Sequence, residues 1–288
     1  MPNPKISGFS IIRNATILDF PLEASIASVL SGVDEFVIAV GRSEDDTLER
    51  VRAIGDPRIR IIESEWDLSL NARVLSAETN RAMAACRHPW GIYIQADEVL
   101  EDGGARRLRE QIVAVDGRHR VEGLLVDYLH FYGSFDTFGV SRRWYRREVR
   151  AMRLDRGVQS HHDAQGFRVG PEARRVRAKK SGVRMHHYGS ARPAWALLAK
   201  REQDRHIYPT ERRKDPARPL LPWSPGLQRF SGSHPTVAAD WIAARATPGS
   251  FVEPPKFRWG HLRIWMSIAI ERLTGWRPFE FRNYTLWP

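Results

Sequence analysis

Cysteine is nearly absent from this 288-residue chain: the one thiol, Cys86, excludes a disulfide framework and leaves no CxxC pair for a structural zinc site. Stability must then come from a buried core, and 42% hydrophobic with 27% charged residues is a globular composition. No run approaches the roughly 20 apolar residues that a membrane-crossing helix needs. Met1-Pro2-Asn3-Pro4-Lys5 leads into a strand-like run rather than a signal-peptide core, so a cytoplasmic location is expected. Two nucleotide signatures are missing as well. No GxGxxG follows the first strand-like run, and no GxxxxGK followed by Ser or Thr occurs, so a bound nucleotide must be held in another way.

Acidic residues are outnumbered, and the formal charge of +11 implies an anionic partner: nucleic acid, a membrane surface or a phosphorylated small molecule. The stretch from Arg142 to Arg184 holds 14 Arg and Lys against four acids, Glu148, Asp155, Asp163 and Glu172. Such a mid-chain concentration suits either a solvated arginine face or a pocket for a diphosphate. No RNP, KH or zinc-finger pattern accompanies it, so no nucleic-acid partner is expected. A non-enzymatic RNA- or polyanion-binding protein using residues 142–184 is the competing reading from another class.

The first half reads as strands alternating with helices. Ile6 to Ile12 is a β-prone run, Pro21 to Leu30 a helix with Pro in its first turn, and Phe36 to Val40 a continuous apolar run typical of a strand buried on both faces. Ser43-Glu44-Asp45-Asp46-Thr47 opens a helix through Ile54, and Gly55-Asp56-Pro57 stops it before the strand Arg58 to Ile62. Ser69 to Cys86 reads as a third helix and Trp90 to Ile94 as a fourth strand, ending in Gln95-Ala96-Asp97-Glu98. A helix from Gly104 to Val115 and a strand from Val121 to Leu129 follow. This alternation predicts a mostly parallel sheet, which binds ligands at the carboxyl ends of its strands.

An acid just past a buried strand is costly without a partner, so Asp97 is either a ligand-holding carboxylate or the cap of the next helix. The order strand, Arg13-Asn14, helix, strand, Ser43 to Thr47, strand, helix with Asn80, then Trp90 to Glu98 resembles a family 2 glycosyltransferase of the GT-A fold. The resemblance continues through Ser141-Arg142-Arg143-Trp144-Tyr145-Arg146-Arg147 and His161-His162-Asp163-Ala164-Gln165-Gly166 to Met185-His186-His187-Tyr188-Gly189, and so covers about residues 5 to 190. These later segments look like a bacterial subgroup of envelope-polysaccharide and lipopolysaccharide-type transferases.

The resemblance implies an α/β fold whose mixed, mostly parallel sheet is flanked by helices, with a catalytic domain over 1–190 and a helical extension over 191–288. It implies transfer of a sugar, with inversion, from a UDP- or GDP-sugar to a hydroxyl of a glycan or lipid-linked acceptor. Asp97 would be the main ligand of Mg²⁺ or Mn²⁺, His187 a further ligand or diphosphate contact, and Asp163 the catalytic base. Arg13, Asn14, Asp45, Asn80, Gln95, Arg143 and Trp144 would lie on the donor or substrate side, with the Arg142–Arg147 cluster neutralising the diphosphate. The chain departs from the family pattern in three places. Gln95 replaces the first acid of D-x-D, leaving room for Glu98 and water to assist the metal. Val40-Gly41-Arg42 stands where an Asp usually holds the nucleoside, and Thr79 where an Arg commonly precedes Asn80. Asp67 and Arg73 are the substitutes proposed for those contacts. A nucleotidyltransferase on a similar sheet is a further alternative, although the first loop is not rich in Gly and Arg or Lys.

Of each adjacent pair, His161/His162 and His186/His187, one member at most is expected to function, because neighbours in a strand point to opposite faces. The aromatic series Tyr128, Phe131, Tyr132, Phe135 and Phe138 reads first as core and second as a sugar-stacking platform. After Ser190 the chain holds seven of the ten Trp and twelve of the 18 Pro. Pro193 to His206 is helix-like, Pro209 to Pro225 reads as extended, and Trp259 to Thr274 is a helix. Leu262, Trp265, Met266, Ala269 and Leu273 form its apolar face, expected to dock on its own domain, on a second copy in a homodimer, or on a membrane surface.

Overall fold

The strands β1 (Ile6–Ile12) and β2 (Glu35–Gly41) are buried at every residue, the condition of central parallel strands covered on both faces. In β1, Ile6 and Ile12 enter one core layer with Leu22, Ile26, Phe36 and Ile38, while Phe9 and Ile11 enter the opposite layer with Val37, Tyr93 and Phe167. A computed structural model describes residues 3–208, 219–245, 252, 255–256 and 258–288. The helices α1 (Leu22–Leu30), α2 (Thr47–Ala53), α3 (Arg73–Ala84) and α4 (Gly104–Val115) flank the sheet. With β3 (Ile59–Ser64) and β4 (Trp90–Tyr93) the first half forms the order β3-β2-β1-β4, all parallel. The expected α/β architecture is thus the one observed. One helix starts later than expected: Asp67 caps a 3-10 turn, Leu68–Leu70, by accepting from Ser69 N at 3.0 Å, and Asn71 at φ 51° interrupts the chain before α3.

The second half extends the sheet with β5 (Glu98–Leu100), β6 (Gly123–Tyr132), β7 (Thr137–Gly139), β8 (Arg147–Arg153), β9 (Val158–His161), β10 (Gly166–Val169) and β11 (Arg174–Ser190). β8 lies antiparallel between β4 and β6, and β11 runs parallel to β6. Much of the arginine-rich stretch lies in these strands. Arg150 is wholly buried against Glu98 at 2.8 Å, Arg153 meets Asp116 at 3.2 Å, Arg147 meets Asp127 at 2.6 Å, and Arg174 and Arg177 share Glu122. The first 140 residues carry 22 acids against 15 Lys and Arg, and they supply these partners. Burial takes Arg150 and Arg153 off the surface, and pairing partly neutralises the others. Within the Arg142–Arg147 cluster expected to neutralise a diphosphate, Arg146 is held by Glu271 and Glu280 and Arg147 by Asp127.

Beyond β11 come α5 (Ala194–Ile207), β12 (Leu227–Arg229), a short helix Ala239–Ala243, the helix Trp259–Thr274 and β13 (Tyr284–Leu286), which pairs with β11. The extended segment expected over Pro209 to Pro225 falls largely on 209–218, outside the described residues. The helix Trp259–Thr274 has the expected bounds but buries the other face. His261, Ile264, Ser267 and Ile268 are covered, whereas Leu262, Trp265, Met266 and Leu273 are exposed. Polar anchors set this orientation: Glu271 binds Arg146 at 3.2 Å and Arg277 at 2.7 Å, and Arg277 donates to the carbonyls of Val140 and Trp144. Among the described residues no helix is long and apolar enough to cross a membrane.

Candidate active site

After β4 the chain turns through Ile94-Gln95-Ala96-Asp97 into β5, which pairs antiparallel with the end of β11 and registers Glu98 opposite His187. The amide of Tyr188 donates to the Asp97 carbonyl at 2.8 Å and closes this junction. On its other edge β11 registers His187 opposite His130 of β6. His187 therefore stands between two strands, and its Nε2 lies 3.6 Å from Asp97 Oδ2. Strand alternation separates the pair His186/His187: His187 faces a cleft, while His186 is stacked on Phe131 on the opposite side.

The hydrogen bonds assign the protons. A backbone carbonyl only accepts, so His130 Nε2, 2.8 Å from the Tyr145 oxygen, carries its hydrogen. Burial first, and the neighbouring His187 second, hold His130 well below the ordinary histidine pKa, so it is neutral and its Nδ1 is an acceptor. His187 Nδ1 at 3.2 Å is then the donor, and His187, also held down by burial, presents a bare Nε2 lone pair to the cleft. That lone pair faces a carboxylate. Burial alone would push Asp97 up, but the Lys200 and Arg192 cations beside it, and His187 whenever its Nε2 carries a proton, hold the carboxyl below the ordinary aspartate value. Lys200 Nζ lies 3.8 Å from Asp97 Oδ2.

An ionised carboxylate oxygen and a bare imidazole nitrogen aimed at one another form a donor pair for a divalent cation. The space beside them is kept open by Gly189. A Cβ there would stand 2.6 Å from His187 Cε1 and 2.8 Å from Asp97 Oδ2. The residues thus fit a metal, with two protein donors: among the described residues no group of three or more His, Cys, Asp or Glu is gathered to hold one. Glu98 is corrected as an auxiliary ligand. It is fully buried, and its oxygens accept from Arg150, Tyr128 Oη at 2.6 Å and Gln95 N at 3.0 Å, so it anchors the turn instead.

The cleft encloses about 260 Å³. Of the residues singled out from the sequence, Arg13, Gln95, Asp97, Asp163 and His187 line it together. Asp163 sits in the turn between β9 and β10, flanked by His162 at φ 52° and Ala164 at φ 59°, two left-handed non-glycine residues of the strained kind found at functional turns. Its Oδ2 accepts from Tyr208 Oη at 3.5 Å. The other wall is apolar, with Ile11, Ile12, Trp66 and Leu75. Gly41 is required here because a Cβ would strike the Trp66 indole at 2.3 Å.

The remaining candidates lie outside this lining. Asn14 and Asp45 brace the loop after β1: Asn14 Oδ1 accepts from Glu44 N at 2.9 Å, and Asp45 accepts from Thr16 N at 2.9 Å and Ile17 N at 2.8 Å. Asn80 clamps β9 through both main-chain groups of Ser160. Asp67 caps its turn, and Arg73 and Arg143 are exposed. Trp144 packs on Gly139 and Tyr132, so it is the next residue, Tyr145, that reaches the cleft. Phe131 and Phe135 pack with Tyr188, as core aromatics do.

Reading the sequence missed Lys200, Arg192 and His130. Lys200 comes from α5, beyond residue 190, with Gln203, Asp204, Ile207 and Tyr208 also lining the cleft. Its only sequence signal is the helical spacing of 200, 203, 204 and 207 on one face.

No family model matches this chain, and no curated protein matches it. Among solved structures it is similar to glucosyl-3-phosphoglycerate synthase from Mycobacterium tuberculosis in complex with Mn²⁺, uridine diphosphate and phosphoglyceric acid. The identity is 21% over 44% of this chain and 43% of that one, with a TM-score of 0.33. It is also similar to S. aureus TarS, at 12% identity over 69% of this chain and 38% of that one, with a TM-score of 0.43. The match therefore spans less than half of either solved chain. Likeness at this level leaves the chemistry to be read from the site's own residues.

Proposed function

We propose that the protein is a glycosyltransferase that moves a sugar from a nucleotide-sugar donor, a UDP- or GDP-sugar, to a hydroxyl acceptor of a glycan or lipid-linked precursor, with a divalent cation and inversion. The observation that carries this reading is the Asp97–His187 pair, two electron-pair donors facing each other at the carboxyl end of a buried strand, in a cleft that also holds a second carboxylate. Asp97 and His187 would hold Mg²⁺ or Mn²⁺, which supplies charge neutralisation for a leaving diphosphate. Lys200 and Arg13 add positive charge in the same cleft. The apolar wall with Trp66 offers a flat surface for a nucleoside. Asp163 accepts the hydroxyl proton of the acceptor as the new glycosidic bond forms, and one carboxylate base suffices for a single displacement. An envelope-polysaccharide role is the setting implied by the resemblance of residues 141–189.

The polyanion-binding alternative is weakened, because Arg150 and Arg153 are buried in ion pairs and Arg174 and Arg177 are engaged by Glu122. A thermal-shift screen of UDP-, GDP-, dTDP- and CMP-sugars with and without Mn²⁺ tests the proposal. Stabilisation by one donor that depends on Mn²⁺ is expected; no response to any donor under either condition overturns it.

A further inference from the structure

The face of helix Trp259–Thr274 that carries its large apolar side chains is, among the described residues, uncovered. Leu262, Trp265, Met266 and Leu273 follow one another at helical spacing; past the helix end Trp276 and Phe279 are also exposed, and Phe279 lines one pocket with Met266 and Arg263. Leu273 and Phe279 are each 86% exposed. A monomeric soluble surface seldom carries so many large apolar side chains side by side.

The charge around this row has one sign. From residue 255 to the end the chain has six Lys and Arg against two acids, Glu271 and Glu280. Both acids are turned into ion pairs with Arg146, Arg277 and Arg282. Arg263 and Arg272 stand exposed on the same helix as the apolar row, Lys256 is exposed just before it in sequence, and Arg142 lies over the Phe279 ring at 5.3 Å. Trp, Leu and Met on an exposed ridge interleaved with Arg is the pattern that settles into the headgroup region of a bilayer. We infer that this face is a docking surface for an anionic phospholipid bilayer. A second copy of the chain fits it less well, because self-association would set two positive faces against each other. The inference is independent of the glycosyl-transfer reading, although one short link joins the two: Glu271 holds Arg146, whose neighbour Tyr145 lines the cleft.

Flotation of the full chain with vesicles of phosphatidylcholine and phosphatidylglycerol, against vesicles of phosphatidylcholine alone, tests it. Binding to the anionic vesicles, weakened by salt, is expected. It should fall by about tenfold or more in the triple variant L262S/W265S/M266S and in the charge-reversal variant R263E/R272E. All five positions are exposed, and circular dichroism melts of both variants confirm that the fold is kept. Absence of wild-type binding, equal binding to neutral vesicles, or unchanged binding in both variants overturns the inference. So does a dimer seen by light scattering that the triple variant abolishes while no vesicle is bound, which would assign the face to a second copy.

Discussion

Nδ1 of His130 lies 3.2 Å from Nδ1 of His187, and this bond decides which nitrogen of His187 faces Asp97. With His130 anchored on the Tyr145 carbonyl, its neutral ring can only accept from His187, so Nε2 of His187 stays bare. Replacing His130 by Phe removes that acceptor and frees the tautomer. Mn²⁺ affinity, followed by electron paramagnetic resonance, should drop about 10–100-fold, as it does when a supporting partner of a metal ligand is lost. His130→Gln, whose amide oxygen still accepts, should retain more. Undiminished affinity in His130→Phe would show that the bond has no part in the site.

Asp97→Asn removes one charge at nearly constant volume. Calorimetric titration with a nucleoside diphosphate is expected to lose its Mn²⁺-dependent component while the melting curve stays cooperative. Equal Mn²⁺-dependent affinity in the two proteins would remove Asp97 from the site.

Gly189→Ala probes the space rather than the donors. Gly189 has no positive φ, so the backbone tolerates alanine, but the new Cβ would lie 2.8 Å from Asp97 Oδ2 and 2.9 Å from His187 Nε2. Loss of Mn²⁺ binding with the fold retained is the expected result. Wild-type Mn²⁺ affinity would place the cation elsewhere.

For Asp163→Asn the effect should fall on turnover, by roughly two to four orders of magnitude, with donor affinity little changed. Steady-state transfer assays together with donor titrations separate the two quantities. Near wild-type turnover would rule out Asp163 as the base.

Glu148 supplies a pH dependence through a buried carboxyl behind the cleft, where it holds the cleft residue Gln165. It is fully buried, Oε1 accepts from Gln165 at 3.0 Å and Asn283 at 3.2 Å, and Oε2 has no hydrogen-bond partner among the described residues. Burial, only partly offset by Arg150, pushes its pKa from the ordinary 4.5 up to about 7. The native state thus keeps a proton that the unfolded chain has released, so its contribution is full below pH 4.5 and lost as pH rises through 7. Glu148→Gln should be more stable than wild type at pH 8, on the order of 2–3 kcal/mol, with the gap closing near pH 5. Urea melts at the two pH values measure this, and a gap that is constant with pH would sink the assignment.

The alternation of strands and helices through α4 could be read directly from the sequence, because apolar periodicity and capping are local properties that each segment carries wherever it folds. Asp97 was legible for the same reason: an acid ending a run as apolar as Trp90 to Ile94 needs a compensating partner. The partners themselves were not legible. His187 meets Asp97 and His130 because β11 pairs with β5 on one edge and β6 on the other, between residues 57 to 90 positions apart. No local pattern encodes those registers. The arginine stretch likewise read as a basic surface until its acids arrived from distant strands. The last helix kept its predicted bounds yet buried the opposite face, on which Ile264 and Ile268 are covered and Glu271 reaches Arg146 and Arg277 from distant parts of the chain. Sequence determined which elements exist; long-range pairing of strands and charges decided which side chains meet.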